Sequence, residues 1–102
     1  MLSPQVFHIL VSLADRDLHG YAIMHVAART GGKLRLSPGT LYGSIKRMLE
    51  QGLIVELHEQ ALERRRNYRL TRQGRKVLQL EVSEMGEMLD AARTHGLVPK
   101  RA

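Results

Sequence analysis

The chain has 102 residues, 43% hydrophobic and 25% charged, and its 16 Lys and Arg against 10 Asp and Glu leave a formal charge of +6. That length holds one core, no apolar run approaches the roughly 20 residues that span a bilayer, and no basic leader with a small-residue cleavage site opens the chain, so the N-terminus is read as structure. The absence of cysteine excludes disulfides and thiolate chemistry and fits a cytoplasmic protein, while a pI near 10.3, carried mostly by arginine, asks for an anionic partner, nucleic acid or a membrane surface.

Ser3-Pro4 is a cap followed by proline at the first helical position, and Val6, Phe7, Leu10, Leu13 and Ala14 then supply a helical apolar stripe. Asp15-Arg16-Asp17 ends this first helix. A second runs from about His19 or Gly20 to Arg29, burying Tyr21, Ile23, Val26 and Ala27, and Gly31-Gly32 stops it. Lys33 to Leu36 alternates briefly and reads as a short strand.

The stretch LSPGTLYGSIKRMLEQGLI, Leu36 to Ile54, is a third helix with sharp limits. Ser37 caps it, Pro38 starts it, and Gly52 supplies a left-handed stop. Leu41, Ile45, Met48 and Leu49 form its buried stripe. The opposite face carries Gly39, Thr40, Gly43, Lys46, Arg47 and Glu50. An exposed glycine inside a helix costs roughly 1 kcal/mol relative to alanine. A face that must approach another surface closely would offset that cost. A DNA major groove is wide enough for a helix, with Thr40 and Ser44 as hydroxyl donors and Lys46 and Arg47 as cations. Two short helices leading to a capped third make a helix-turn-helix.

Beyond Gly52 the period becomes alternating. Ile54, Val55 and Leu57 precede a polar turn from Glu59 to Glu63, and the segment from Arg64 to Leu70 returns as a second strand. A basic hairpin after a recognition helix makes a winged helix, in which Arg64, Arg65 and Arg66 reach phosphates or a minor groove. Thr71 caps a last helix running to about His95, with Gly96 and Pro99 as stop signals. Leu78, Val82, Met85, Leu89 and Ala92 follow one another at alternating steps of four and three, a coiled-coil-like seam that serves either a second copy of the chain or its own core. The expected architecture is mainly α with a small β-hairpin: a winged helix-turn-helix over 1–71 and a C-terminal dimerisation helix and tail over 72–102, together one compact unit.

Chemistry is not written into this chain. Its five histidines are scattered without a metal-ligand spacing and read as packing or surface residues, and Gly31-Gly32 belongs to no phosphate-binding loop. No catalytic residue, metal site or cofactor is expected.

Three segments, LHGYAI at Leu18 to Ile23, the Leu36 to Ile54 stretch, and RRRNYRLTRQGRKVL at Arg64 to Leu78, together resemble the PadR-type transcriptional regulators, a winged-helix family of bacterial and archaeal repressors. The resemblance implies a homodimer formed through the C-terminal helix and binding to an inverted-repeat operator in double-stranded DNA, with Thr40, Tyr42, Gly43 and Arg47 at the operator, Ser37 and Gly39 at the start of the same helix, and Arg64 to Arg66 on the wing. Tyr42 flanks the apolar stripe, which leaves it a phosphate contact or a rim-packing role. One terminal helix in place of several resembles the short subgroup of the family. Some short members hold flat aromatic drugs between interface tryptophans; this chain has no tryptophan, so that ligand mode is not carried over. The expected function is repression without catalysis or membrane attachment, relieved by a small-molecule inducer that alters the dimer. The rival readings are a winged-helix protein-interaction module, which would not need cations on one side, and a hydrophobic-ligand sensor.

Overall fold

The computed structural model describes residues 2–30, 35–57 and 66–98. In chain order these form α1 (Pro4–Ser12), β1 (Leu18–His19), α2 (Gly20–Thr30), α3 (Pro38–Glu50), β2 (Ile54–Leu57), β3 (Asn67–Leu70) and α4 (Arg72–Arg93). The same local device opens three of the helices. The hydroxyls of Ser3, Ser37 and Thr71 accept the N–H groups of Val6, Thr40 and Gly74 at 3.2, 3.2 and 2.9 Å, which satisfies donors that the helix itself leaves orphaned. α2 has no such residue, and the imidazole Nδ1 of His19 takes the role, accepting from the Ala22 N–H at 3.2 Å.

The two expected strands pair antiparallel, Ile54 opposite Leu70 and Leu57 opposite Asn67. A third strand was not expected. β1 pairs with the other edge of β3, Leu18 opposite Tyr68, so the sheet order is β1-β3-β2 and the hairpin is anchored to the start of α2. The alternating segment before Ser37 is not a strand where it is described, since Arg35 and Leu36 are irregular; Lys33, Leu34, the Gly31-Gly32 stop, the Glu59 to Glu63 turn and Pro99 lie outside the described residues.

The core gathers Ile9 and Leu10 from α1 and Leu13 just after it, Ile23 and Ala27 from α2, Leu41, Ile45 and Met48 from α3, Leu53, Ile54, Tyr68 and Leu70 from the sheet region, and Leu78 from α4. Tyr21, expected in this core, is 62% exposed because it projects off the Ile23 and Ala27 stripe, and its ring leans on that of His25, centroids 5.1 Å apart. Gly52 adopts φ +73° at the end of α3, as a left-handed stop requires. At the start of α4 the backbone of Gly74 runs so close to Leu53 that any Cβ would collide with the Leu53 carbonyl, and Thr71 ties the same junction by donating to the Gly52 carbonyl at 2.6 Å.

α4 serves two purposes along its length. Its first turns pack inward through Gly74, Leu78 and Glu81, and the Glu81 carboxylate accepts the Leu2 N–H at 3.1 Å, joining the N-terminal segment to this helix. The rest leaves the body, and the molecule is 55 Å long against 26 and 22 Å across. Leu78 is therefore corrected from the seam to the protomer's own core: at 7% exposure it has almost no surface left for a partner.

Candidate nucleic-acid interface

α3 is held from below by Leu41, Ser44, Ile45 and Met48, all buried, and this fixes which residues face outward. Ser37, Gly39, Thr40, Tyr42, Lys46, Arg47 and Glu50 are exposed and Gly43 is half-buried. Ser44, expected on the open face as a hydroxyl donor, is instead sealed beneath it at 1% exposure, where its hydroxyl accepts from Arg47 Nη2 at 3.4 Å. At Gly43 an added Cβ would meet Arg47 Nη1 at 3.8 Å, an ordinary contact, so the protomer's own packing does not demand a glycine here. The hydroxyls of Ser37 and Thr40 stand side by side at the start of the helix, 3.0 Å apart, with Ser37 donating.

Tyr42 occupies the flank between this face and the rest of the fold. It is 51% exposed, yet its ring lies across the first residue of α2: a Cβ on Gly20 would come within 2.9 Å of the phenol oxygen. In the neighbouring sheet, burial, helped by the carboxylate of Glu56 and by Tyr42 and opposed by Arg66, pushes the Tyr68 phenol above its ordinary range.

Of the wing arginines, Arg66 is described and Arg64 and Arg65 lie outside the described residues. The Arg66 side chain is mostly solvent-exposed and pairs with Glu56 across the hairpin, Nε to Oε1 3.3 Å. Arg69 is differently employed. Its Nε and Nη2 donate to the two carboxylate oxygens of Asp17 at 3.0 and 2.8 Å, a fork that fastens β3 to the loop after α1 and holds the Asp17 carboxyl below its ordinary value, chiefly through that hydrogen bond. Arg75 likewise donates to the Ala14 carbonyl. None of these tertiary ties was visible in the spacing of the residues; the one local signal was His19-Gly20, a capping residue and a residue without a side chain at the start of a helix.

On the projecting part of α4, Val82 and Leu89 are exposed, and Met85 and Ala92 are half-buried. Met88, not anticipated, is 51% exposed and extends the apolar face along the Glu81 side. No group of three or more His, Asp or Glu residues able to hold a metal occurs among the described residues, and no helix there is long and apolar enough to cross a membrane.

A transcriptional regulator of Mycobacterium tuberculosis is 40% identical over 72 residues, which is 70% of this chain and 65% of that protein. The chain spans less than two thirds of the length of the curated relatives it matches. Among solved structures, a PadR family transcription regulator from Clostridium difficile superposes with a TM-score of 0.78 at 24% identity over 91% of this chain and 98% of that one. Bacillus subtilis PadR, solved in complex with operator DNA, superposes with a TM-score of 0.65 at 22% identity over 76% of this chain and 45% of that one. These likenesses establish the winged-helix fold. The model of the transcriptional regulator PadR-like family matches residues 9–80, more than half of the chain, and the protein belongs to that family.

Proposed function

We propose that this protein is a DNA-binding transcriptional repressor that acts in the cytoplasm as a homodimer on an inverted-repeat operator. The observation that carries the reading is the outward face of α3, where Gly39, Thr40, Gly43, Lys46 and Arg47 lie together on a helix whose opposite side is locked into the core. With no side chain at Gly43, the backbone comes close to the base edges of a major groove, while Thr40 and Arg47 offer donors and Lys46 a point charge. Ser37 and Tyr42 contact flanking phosphates. Arg64, Arg65 and Arg66 take phosphates beside the wing, Arg66 exchanging its exposed pairing with Glu56 for the denser charge of the duplex.

Val82, Met85, Leu89 and Ala92 join two copies about a two-fold axis, so that the two α3 helices fall about 34 Å apart or a multiple of it. An inducer that favours a dimer with mismatched spacing releases the DNA. Family membership supports the reading, as does the operator complex of the Bacillus subtilis relative. Gel retardation with the DNA upstream of the protein's own gene, run as a salt series, tests it. A retarded species that resists competition by random DNA and weakens linearly in log salt is expected; equal affinity for random DNA would overturn operator recognition.

A further inference from the structure

Gly20 opens α2 and is buried, and its φ is not positive, so nothing in its backbone conformation calls for glycine. What it does supply is space. A Cβ built there would lie 2.9 Å from the Tyr42 phenol oxygen, 3.0 Å from Cε1 and 3.1 Å from Cζ, closer than side chains ordinarily approach. The Tyr42 ring thus rests in a notch the size of one methyl group. The notch is made by α2 and filled from α3, beside the strand that carries Tyr68.

We infer that Gly20 is a positioning residue for DNA recognition: its missing side chain seats the Tyr42 ring at the edge of the α3 face and so sets where the phenol hydroxyl meets the DNA backbone. This rests on the proposed DNA contact of α3 and deepens it. The phenol is long and rigid, with two side-chain torsions, and sits four residues before Lys46 on the same side of the helix. About half of the Tyr42 surface is open to solvent, and the part of the ring that abuts Gly20 is its hydroxyl end, Oη, Cζ and Cε1, so the donor itself is held in place in advance.

The groups that would clash are the far end of a side chain, so Gly20→Ala displaces the ring without breaking the fold. Helix propensity favours the substitution, and the melting temperature should stay equal or rise. Operator affinity should nevertheless fall about tenfold, as a misplaced hydrogen bond to a charged group predicts. Tyr42→Phe keeps the ring and removes the donor, and should weaken binding by a similar factor. In the Tyr42→Phe background Gly20→Ala should cost little more, so that the double variant falls about tenfold and not a hundredfold. Independent effects that multiply would overturn the inference, as would wild-type affinity in either single variant. Nuclear Overhauser effects between the Gly20 α-protons and the Tyr42 ring report the notch without DNA. They should be strong in the wild type, and in Gly20→Ala the corresponding effects to the ring should weaken as it swings away; their absence from the wild type would overturn the notch. Failure of the wild type to prefer any operator, with these effects intact, would count against the DNA reading on which the positioning role rests and would overturn that role with it, leaving the notch as packing.

Discussion

α3 and the projecting half of α4 start from the same plan, a helix opened by a hydroxyl cap with one face in the core, yet they leave opposite chemistry in water. α3 presents Gly39, Thr40, Lys46 and Arg47, a face already at ease in solvent that, on the proposed reading, gains by releasing the counterions condensed on DNA. α4 presents Val82, Met88 and Leu89, each about half exposed, and every buried CH₂ on such a face is worth about 0.8 kcal/mol. The contrast teaches how to read an open helix face: a cationic one with a bare backbone fits an anionic groove, whereas an apolar one continuing past the end of its own core fits a second protein surface.

The sharpest way to break the comparison is Gly43→Glu. A Cβ at this position meets only an ordinary contact in the free protein, so melting temperature should hold or rise, but a carboxylate in the middle of the α3 face should abolish operator binding in gel retardation. Normal binding would move the DNA contact off this face. Met85→Asp attacks the other helix. An ionised carboxylate in an apolar contact is costly unless paired, so light scattering should report a smaller species, with at least a hundredfold loss of operator affinity and residual salt-sensitive binding to any DNA. The core residues Leu10, Ile23, Leu41 and Ile45 are untouched, and folding should persist. A variant that stays dimeric would return the seam to an intramolecular role.

Replacing both Arg65 and Arg66 by alanine should have a smaller effect, roughly tenfold on specific and random DNA alike, and should flatten the log–log salt slope by about 0.9 for each phosphate no longer neutralised. Sequence preference should survive, because α3 is unaltered. An unchanged slope would mark these arginines as a solvated strand face.

The smallest effect concerns neither face but the brace behind the sheet. The Asp17 carboxyl is lowered below its ordinary value by Arg69, so its contribution to stability is fully present above the unfolded value near 3.8 and disappears as pH falls through the lower folded value. Exposed pairs of this kind are worth about 0.2–1 kcal/mol. Urea midpoints of the wild type and Asp17→Asn should therefore differ slightly at neutral pH and converge in strong acid. A difference that grows on acidification would assign the lowered carboxyl to another cause.

Much of the fold was legible because it is locally encoded. Ser3-Pro4, Ser37-Pro38 and Thr71 announce helix starts through their own hydroxyls, Gly52 announces a stop, and the change from helical to alternating period after Gly52 announces the hairpin. The outward face of α3 followed from its apolar stripe, since burying one side of a helix decides the other.

Residues at the margins of a stripe were not legible in this way. Tyr21 and Ser44 have opposite chemical characters and ended on the sides opposite to expectation, because the neighbouring helix surfaces decide how wide a buried stripe becomes. The seam on α4 could be read as a periodic row, but where that row leaves the core, between Leu78 and Val82, depends on how far α1 extends beneath it.

By itself, then, the order of the amino acids determined the helices, their caps, the hairpin and the cationic face, each of which depends on residues within a few positions of one another. Tertiary structure alone decided the short strand Leu18–His19, the Asp17–Arg69 fork, the burial of Ser44 and the seating of Tyr42 on Gly20. These join residues as much as 52 positions apart, and no local periodicity carries an interaction whose partner is chosen only when the helices and sheet pack.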